Sequence, residues 1–415
     1  MRPFLALLAI TLGAAGTAAL TLPPDAPAGA AATRPAHHLA PPAEPPRATP
    51  GSTQSLPVAD AGHTAAVPGA DRAAPPAPGV RGVPAHAVRP FSLVGVVWDD
   101  AATELHGRVQ VRTRATGTGN WSIWQDVQAH NDDQPDLDSP ERQGRVRGSS
   151  APLWVGDSDA VAMRVIPQAD DRAPATLPGG LRLELVDPGA APQAERGVQH
   201  DLPATQARRT PAGPFTGPRP RIVTRAGWGA DETIRQPGYG YTGTVRAAFV
   251  HHSATGNNYT CAQAPSVIRA MYRYHVKSSG WRDIGYNFLV DKCGTVYEGR
   301  AGGVDKPVMG AHTLGFNTDS TGIAVLGTFT GTEPPEAALD AVAGLTAWKL
   351  GLNGINPAAT TQLRSGGGNR FKKGATVQLN VISGHRDGFR TECPGARLYA
   401  KLGAARTAAA RLQGR

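Results

Sequence analysis

Segment 384–395 constrains what this chain can fold into more than any other stretch. It places His385 and Cys393 eight positions apart, directly after an apolar run that is typical of a buried strand end. A second imidazole pair, His251 and His252, closes another apolar run earlier in the chain. Two strand ends and one loop that deliver His, His and Cys match the ligand set of an open zinc site, in which a fourth position remains for water.

Four sequence blocks surround these residues. They are VHHSAT at 250–255, WRDIGYNFLVDKCGTVYEGR at 281–300, GAHTLGFN at 310–317 and GHRDGFRTECPG at 384–395. In this order they resemble the peptidoglycan recognition protein / amidase type 2 family, whose catalytic members are zinc-dependent N-acetylmuramoyl-L-alanine amidases. The resemblance implies a secreted bacterial member with a mixed central sheet covered by helices. The alternation of predicted strands and helices favours the same α/β architecture.

The resemblance, carried over residue by residue, makes His251, His385 and Cys393 the ligands of a Zn²⁺ cofactor. Adjacent residues in a strand point to opposite faces, so only one of His251 and His252 can meet the ion. The resemblance selects His251, and we expect His252 to pack beneath the sheet or on a rim.

Five further site residues follow from the resemblance. Tyr286 matches the catalytic tyrosine, whose phenol would orient water or donate a hydrogen bond to the developing oxyanion. An ordinary half-buried strand tyrosine is the alternative. Thr391 matches a catalytic position where some members carry Lys and others Thr. Arg300, His312 and Asn317 resemble substrate-binding positions in the groove, with a structural role as the alternative for His312.

The chain has three cysteines, an odd number for an exported protein. Three pairings are possible, and the sequence alone does not choose among them. If Cys393 is held by zinc, Cys261 and Cys293 are left to form a disulfide, which is the pairing we favour. Two separate buried thiols are the alternative.

Composition divides the chain into segments. Residues 1–32 predict an export signal, because a short positive start precedes an apolar stretch with small-residue cleavage positions. Residues 33–89 are rich in Pro and Ala and predict a disordered linker, as do residues 188–220. Between them, short alternating runs predict a small all-β, sandwich-like accessory domain over 90–187. Residues 221–415 make up the predicted recognition/amidase domain.

The accessory domain leaves two questions open. Its four tryptophans predict core packing, with a sugar-binding platform as the alternative; they are Trp98, Trp121, Trp124 and Trp154. A run of four aspartates predicts a solvated turn, because its spacing is not that of an EF-hand calcium loop. These are Asp132, Asp133, Asp136 and Asp138.

These features predict a secreted, cell-wall-associated and monomeric enzyme. The expected reaction is hydrolysis of the amide bond between N-acetylmuramic acid and L-alanine of the peptidoglycan stem. A non-catalytic peptidoglycan-binding recognition protein is the alternative, although members of that kind typically lack the zinc cysteine. The formal charge of +9 adds anionic wall polymers to the candidate partners. No nucleic-acid partner and no stable membrane insertion are expected.

Overall fold

The computed structural model describes residues 50–60, 79–129, 133–144, 146–168, 176–190 and 215–415. The predicted export signal at 1–32 lies outside the described residues. So does most of each predicted linker. Among the described residues, no helix combines the length and the apolar character needed to cross a membrane.

Within its described residues, the first domain has eight strands that hydrogen-bond into one sheet. The sheet order is β1-β8-β3-β7-β4-β5, and both β2 and β6 pair with β3. The strands are β1 Ser52–Pro57, β2 Ala59–Asp60, β3 Arg81–Trp98, β4 Gly107–Ala115, β5 Gln125–Val127, β6 Gly148–Ser149, β7 Leu153–Pro167 and β8 Arg182–Asp187. The predicted all-β class of this domain is confirmed.

The apolar run at the end of β3 explains how this domain packs. Alternate side chains of a strand point to opposite faces, and here both faces are covered. Val94 and Val96 enter the core of the first domain, whereas Leu93 and Val97 enter an apolar cluster shared with the second domain. A near-continuous apolar run is what a strand buried on both faces requires.

The prediction that residues 33–89 are a disordered linker is wrong for two stretches. Strand β1 pairs in antiparallel register with β8, from Ser52 opposite Asp187 to Pro57 opposite Arg182. Strand β3 already begins at Arg81. The polar and small residues of β1 carry no core signal, because an edge strand is held by backbone pairing rather than by large apolar side chains.

A six-stranded mixed sheet of order β16-β10-β13-β11-β12-β9 forms the second domain, beside a separate β14-β15 hairpin. The predicted α/β class is confirmed. The strands are β9 Ile222–Val223, β10 Ala247–His252, β11 Phe288–Val290, β12 Val296–Glu298, β13 Ser320–Val325, β14 Thr360–Arg364, β15 Thr376–Asn380 and β16 Ile382–Gly384.

Five α-helices complete this domain within the described residues. They are α1 Arg225–Trp228, α2 Ala264–Arg273, α3 Glu336–Gly351, α4 His385–Gly388 and α5 Ala396–Leu412. A 3₁₀ turn at Cys261–Gln263 precedes α2, and a π turn at Tyr274–Ser278 extends it. Pro335 stands directly before α3 in extended conformation, where its missing N–H is not needed and its carbonyl accepts hydrogen bonds from the amides of Ala338 and Leu339.

The predicted second linker, 188–220, is also shorter than expected. The hydroxyl of Thr216 donates a hydrogen bond to the carbonyl of Gly351 at 3.0 Å. The amide of Gly217 donates to the carbonyl of Ala347 at 3.3 Å. Residues 215–217 therefore pack on α3 and belong to the second domain.

A disulfide joins Cys261 to Cys293 across 32 positions. It ties the turn before α2 to the β11–β12 hairpin. In the chain-entropy description, closing a loop of this size restricts the unfolded chain by about 3–4 kcal/mol. The third cysteine, Cys393, is buried and lies outside this disulfide.

Tyr274 fixes the two domains to each other. Its side chain is fully buried, and its hydroxyl lies 3.1 Å from the carbonyl oxygens of Val96 and Ser150 in the first domain. Gly95 lies directly against this ring, and a Cβ at that position would overlap the ring. The interface therefore requires both a tyrosine on the π turn and a glycine in β3.

We expect Gly95→Ala to lower the free energy of unfolding by roughly 1–3 kcal/mol, the usual cost of overpacking a filled core. Urea unfolding of the full chain measures this. Gly179→Ala is the matched control, because a Cβ at Gly179 meets no atom within 4 Å. Equal stability of the two variants would contradict the described contact.

Candidate functional site

The parallel register of the second sheet brings two histidines together. Strand β10 pairs in parallel with β16, and Val250 lies opposite Gly384. The next residue along the chain is a histidine in both cases, His251 on β10 and His385 at the start of α4. Parallel strands end at the same edge of a sheet, so both imidazoles emerge there.

The loop after α4 adds Cys393 to this pair. One donor atom from each of His251, His385 and Cys393 lies within 4.8 Å of the others. The Sγ of Cys393 is 3.7 Å from Nδ1 of His251, and all three side chains are fully buried. Ligand atoms in a tetrahedral zinc site are about 3.3–3.6 Å apart, given its bond lengths. The donor set and its spacing fit zinc, and the assignment of the three residues as ligands stays a prediction.

His252 points to the other face of β10. Its Nδ1 accepts a hydrogen bond from the backbone amide of Phe329 at 3.3 Å. It is not part of the group of donors formed by the other two histidines and Cys393. This placement agrees with the strand argument that selects His251.

His312 lies behind His251 rather than on an open groove wall. Its Nδ1 is 3.3 Å from Nε2 of His251 and 3.0 Å from the hydroxyl of Thr313. Burial lowers the pKa of His312 well below 6.5, and the neighbouring His251 acts in the same direction. A neutral, fully buried imidazole in this position favours the structural alternative, support of His251, over the predicted contact with substrate.

Side-chain hydrogen bonds order the loop that carries Cys393. The carboxylate of Asp387 accepts hydrogen bonds from the amide of Gly384 at 2.9 Å and the hydroxyl of Tyr399 at 2.6 Å. The hydroxyl of Thr391 accepts a hydrogen bond from the amide of Cys393 at 3.1 Å. Thr391 therefore holds the loop in shape, while its predicted catalytic role stays a prediction.

Tyr286 stands beside the donor group. Its ring centroid is 5.4 Å from that of His251, and its side chain is 3% exposed. A phenol in this position can donate a hydrogen bond toward the metal site. Its catalytic role also stays a prediction.

Comparisons with known proteins agree with this geometry. A family model for N-acetylmuramoyl-L-alanine amidase matches residues 241–396. Another, for the Rv3811 N-terminal galactose-binding domain-like family, matches residues 41–196. Peptidoglycan-recognition protein SC1a of Drosophila melanogaster is 32% identical over 181 residues, which cover 44% of this chain and 83% of that protein. The chain belongs to the peptidoglycan recognition protein / amidase type 2 family.

Two further similarities concern the same domain. Human N-acetylmuramoyl-L-alanine amidase is 36% identical over 132 residues, which cover 32% of this chain and 19% of that protein. The solved structure of Drosophila PGRP-LB is 29% identical in sequence. The match covers 44% of this chain and 93% of the PGRP-LB chain, with a TM-score of 0.35. Peptidoglycan binding or amidase activity is the function that membership of this family supports.

Residues of the first domain reach the site of this recognition/amidase domain. Arg300 pairs with Glu141 through two hydrogen bonds of 2.9 and 3.1 Å. The side-chain amide of Asn317 donates to Asp136 at 2.8 Å. The hydroxyl of Tyr286 donates to the carboxylate of Asp133, in the same segment of the first domain, at 2.6 Å. Three of the predicted site residues therefore contact acidic side chains of the first domain.

The prediction of a solvated turn around the aspartates is wrong for two of them. The side chain of Asp133 is 14% exposed, and Asp136 is half-buried. Asp138 is exposed, as predicted for a turn, and pairs with exposed Lys373 at 2.6 Å. Asp132 lies outside the described residues. Sequence spacing contains no signal for contacts made with another domain, so the sequence did not identify this segment.

The two adjacent histidines give a direct test of the metal site. We expect His251→Ala to abolish binding of one Zn²⁺ per chain, because it removes a donor from the cluster. His252→Asn should retain the ion, because His252 faces the opposite side of the same strand. Elemental analysis of the dialysed full chain measures both. If only the His252 variant lost the ion, the assignment of His251 as the ligand would be wrong.

Proposed function

We propose that this chain is a zinc-dependent N-acetylmuramoyl-L-alanine amidase. It would hydrolyse the amide bond between N-acetylmuramic acid and the L-alanine of the peptidoglycan stem. The observation that carries the proposal is the buried convergence of His251, His385 and Cys393 at one edge of the sheet. Two imidazoles and one thiolate are a ligand set that leaves a divalent ion with net positive charge.

An amide is a weak electrophile, so its hydrolysis near neutral pH needs an activated water and a counter-charge for the oxyanion. Bound Zn²⁺ would supply a Lewis acid for both purposes. The protein orients the donors: His312 contacts His251 at 3.3 Å, and Thr391 holds the amide of Cys393. Fixed contacts of this kind set the direction of each ligand.

Tyr286 is the candidate for stabilising the developing negative charge. A donor that is already in place contributes most when charge develops at about 3 Å from it in a dry site. The phenol is buried and lies beside His251. Arg300 and Asn317 are candidates for binding the stem peptide, since a guanidinium matches a carboxylate through two parallel hydrogen bonds.

The remaining parts of the proposal concern location and partners. Peptidoglycan lies outside the cytoplasm, so the proposal requires export, and segment 1–32 is the candidate signal. Relatives of the chain include proteins named as peptidoglycan-recognition proteins. We therefore propose muramyl peptide as the ligand, a monomeric chain, and anionic wall polymers as additional partners of its basic surface.

The test is digestion of purified peptidoglycan by the full chain, followed by mass spectrometry of the soluble products. We expect stem peptides with a new free amino group on L-alanine. Cys393→Ala should release none, and a chelator should stop release until zinc is restored. Zinc-loaded protein that binds peptidoglycan but releases no stem peptide, both as the full chain and as its Asp133→Ala variant, would establish the recognition protein instead.

Tyr286→Phe tests the proposed role of the phenol. We expect kcat to fall by roughly 10²–10³, the typical loss on removing one oxyanion donor, with zinc content unchanged. The measurement is turnover of a soluble muramyl peptide. Because Asp133 accepts a hydrogen bond from this phenol, the variant is also measured together with Asp133→Ala. An unchanged kcat in both backgrounds would remove the catalytic role.

A further inference from the structure

One carboxylate oxygen of the first domain lies inside the candidate metal site. Oδ1 of Asp133 is 3.2 Å from Nδ1 of His251 and 3.3 Å from Nδ1 of His385. These separations match the edges of about 3.3 Å between nitrogen and oxygen ligands around one tetrahedral zinc. Oδ1 of Asp133 therefore lies at ligand spacing from two of the three residues of the donor group, and the third, Cys393, contacts His251 at 3.7 Å.

The surroundings of this oxygen favour a cation. Oδ1 of Asp133 is buried, and none of the described residues donates a hydrogen bond to it with acceptable geometry. A buried carboxylate oxygen with no donor costs several kcal/mol unless a positive charge compensates it. The other oxygen, Oδ2, accepts the hydrogen bond from Tyr286 at 2.6 Å. The carboxylate is therefore held by one oxygen while the other points into the cluster.

The next acidic residue of the segment, Asp136, contacts the predicted substrate-binding residue Asn317. Oδ1 of Asp136 accepts hydrogen bonds from the amide of Gly315 at 2.6 Å and from the side chain of Asn317 at 2.8 Å. The side chain of Asn317 also donates to the backbone carbonyl of Gln134 at 2.8 Å. Burial raises the pKa of Asp136 above its usual value, so docking this charge has a cost.

The third acidic residue, Glu141, contacts the predicted substrate-binding residue Arg300. Its carboxylate forms the two-hydrogen-bond pair with Arg300, and the two side chains are 4% and 5% exposed. The amide of Arg282 adds a further hydrogen bond to Glu141 at 3.0 Å. The guanidinium of Arg300, which would bind a substrate carboxylate, is thus already paired with the carboxylate of Glu141 from the same chain.

We propose that Asp133 is a fourth protein ligand of the ion. Residues 133–141 then fill the cleft beside Tyr286, Asn317 and Arg300 as an internal mimic of the substrate. In this arrangement the undisturbed chain is latent. The inference rests on the proposed amidase function. Four protein ligands close a zinc site, whereas hydrolysis needs an open position. The three carboxylates take the places of the water and of the acidic stem peptide. Activity then depends on the fraction of molecules in which this segment has left the cleft.

The test compares Asp133→Ala with Asp138→Ala in the full chain loaded with Co²⁺. Asp138 is the matched control, because it lies in the same segment and pairs with exposed Lys373. We expect Asp133→Ala to change the visible Co²⁺ absorption and to weaken Co²⁺ affinity by at least about tenfold, the lower range for losing a group that supports a metal site. Asp138→Ala should match the unaltered chain in both measurements.

A second variant guards against a folding defect. Asp133→Asn keeps the size of the side chain and should change the Co²⁺ spectrum in the same direction, with an unchanged circular dichroism spectrum. In the zinc form, Asp133→Ala should hydrolyse soluble muramyl peptide with a kcat/KM raised by roughly tenfold or more, as the competent fraction grows. A variant that binds its metal less tightly yet works faster is not expected of a merely structural residue.

Each outcome decides one part of the inference. An unchanged Co²⁺ spectrum and affinity in Asp133→Ala overturns the fourth ligand. A changed spectrum without faster hydrolysis overturns latency, when both chains hydrolyse the substrate. A changed spectrum with no hydrolysis by any variant refutes the proposed amidase function and leaves the ligand assignment standing. If no variant binds Co²⁺, both proposals are wrong.

Discussion

The site depends on the parallel pairing of β10 with β16. In this register Val250 lies opposite Gly384, so the following residues, His251 and His385, leave the sheet side by side. A shift by one residue would turn His251 to the opposite face and bring His252 to the site. The register is fixed because β10 is buried along its whole length and also pairs in parallel with β13. The apolar core thus sets the distance between two polar donors.

Charged groups between the two domains add specificity to this apolar framework. The Arg300–Glu141 pair is nearly fully buried, and burying two ions costs free energy that their attraction only partly returns. An apolar pair of similar volume would hold the domains as well, but it would not occupy the guanidinium of Arg300, the proposed binding group for a stem-peptide carboxylate. The same argument applies to Asp136, whose pKa is raised by burial. The contacts of Glu141 and Asp136 with Arg300 and Asn317 therefore explain these buried acidic residues better than a gain in stability does.

The sequence predicted the parts of the fold that depend on local patterns. The α/β class of the second domain was expected, because its predicted strands and helices alternate along the chain. Strand β1 was missed because its polar residues are held by pairing with β8, more than a hundred positions away. The position of Asp133 was missed for the same reason, since a carboxylate in a Pro- and Asp-rich segment resembles a solvated turn. His312 was expected on the groove because its motif suggested it, whereas its burial depends on packing against residues of β10 and β13.

Tyr274 has a consequence for how the cleft can open. Its hydroxyl and the apolar cluster around it keep the first domain attached to the second, and neither contact involves residues 133–141. Access to the cleft therefore does not require the domains to swing apart. Under the proposed latency, residues 133–141 would leave the site while the two domains stay joined through Tyr274 and the apolar cluster around it.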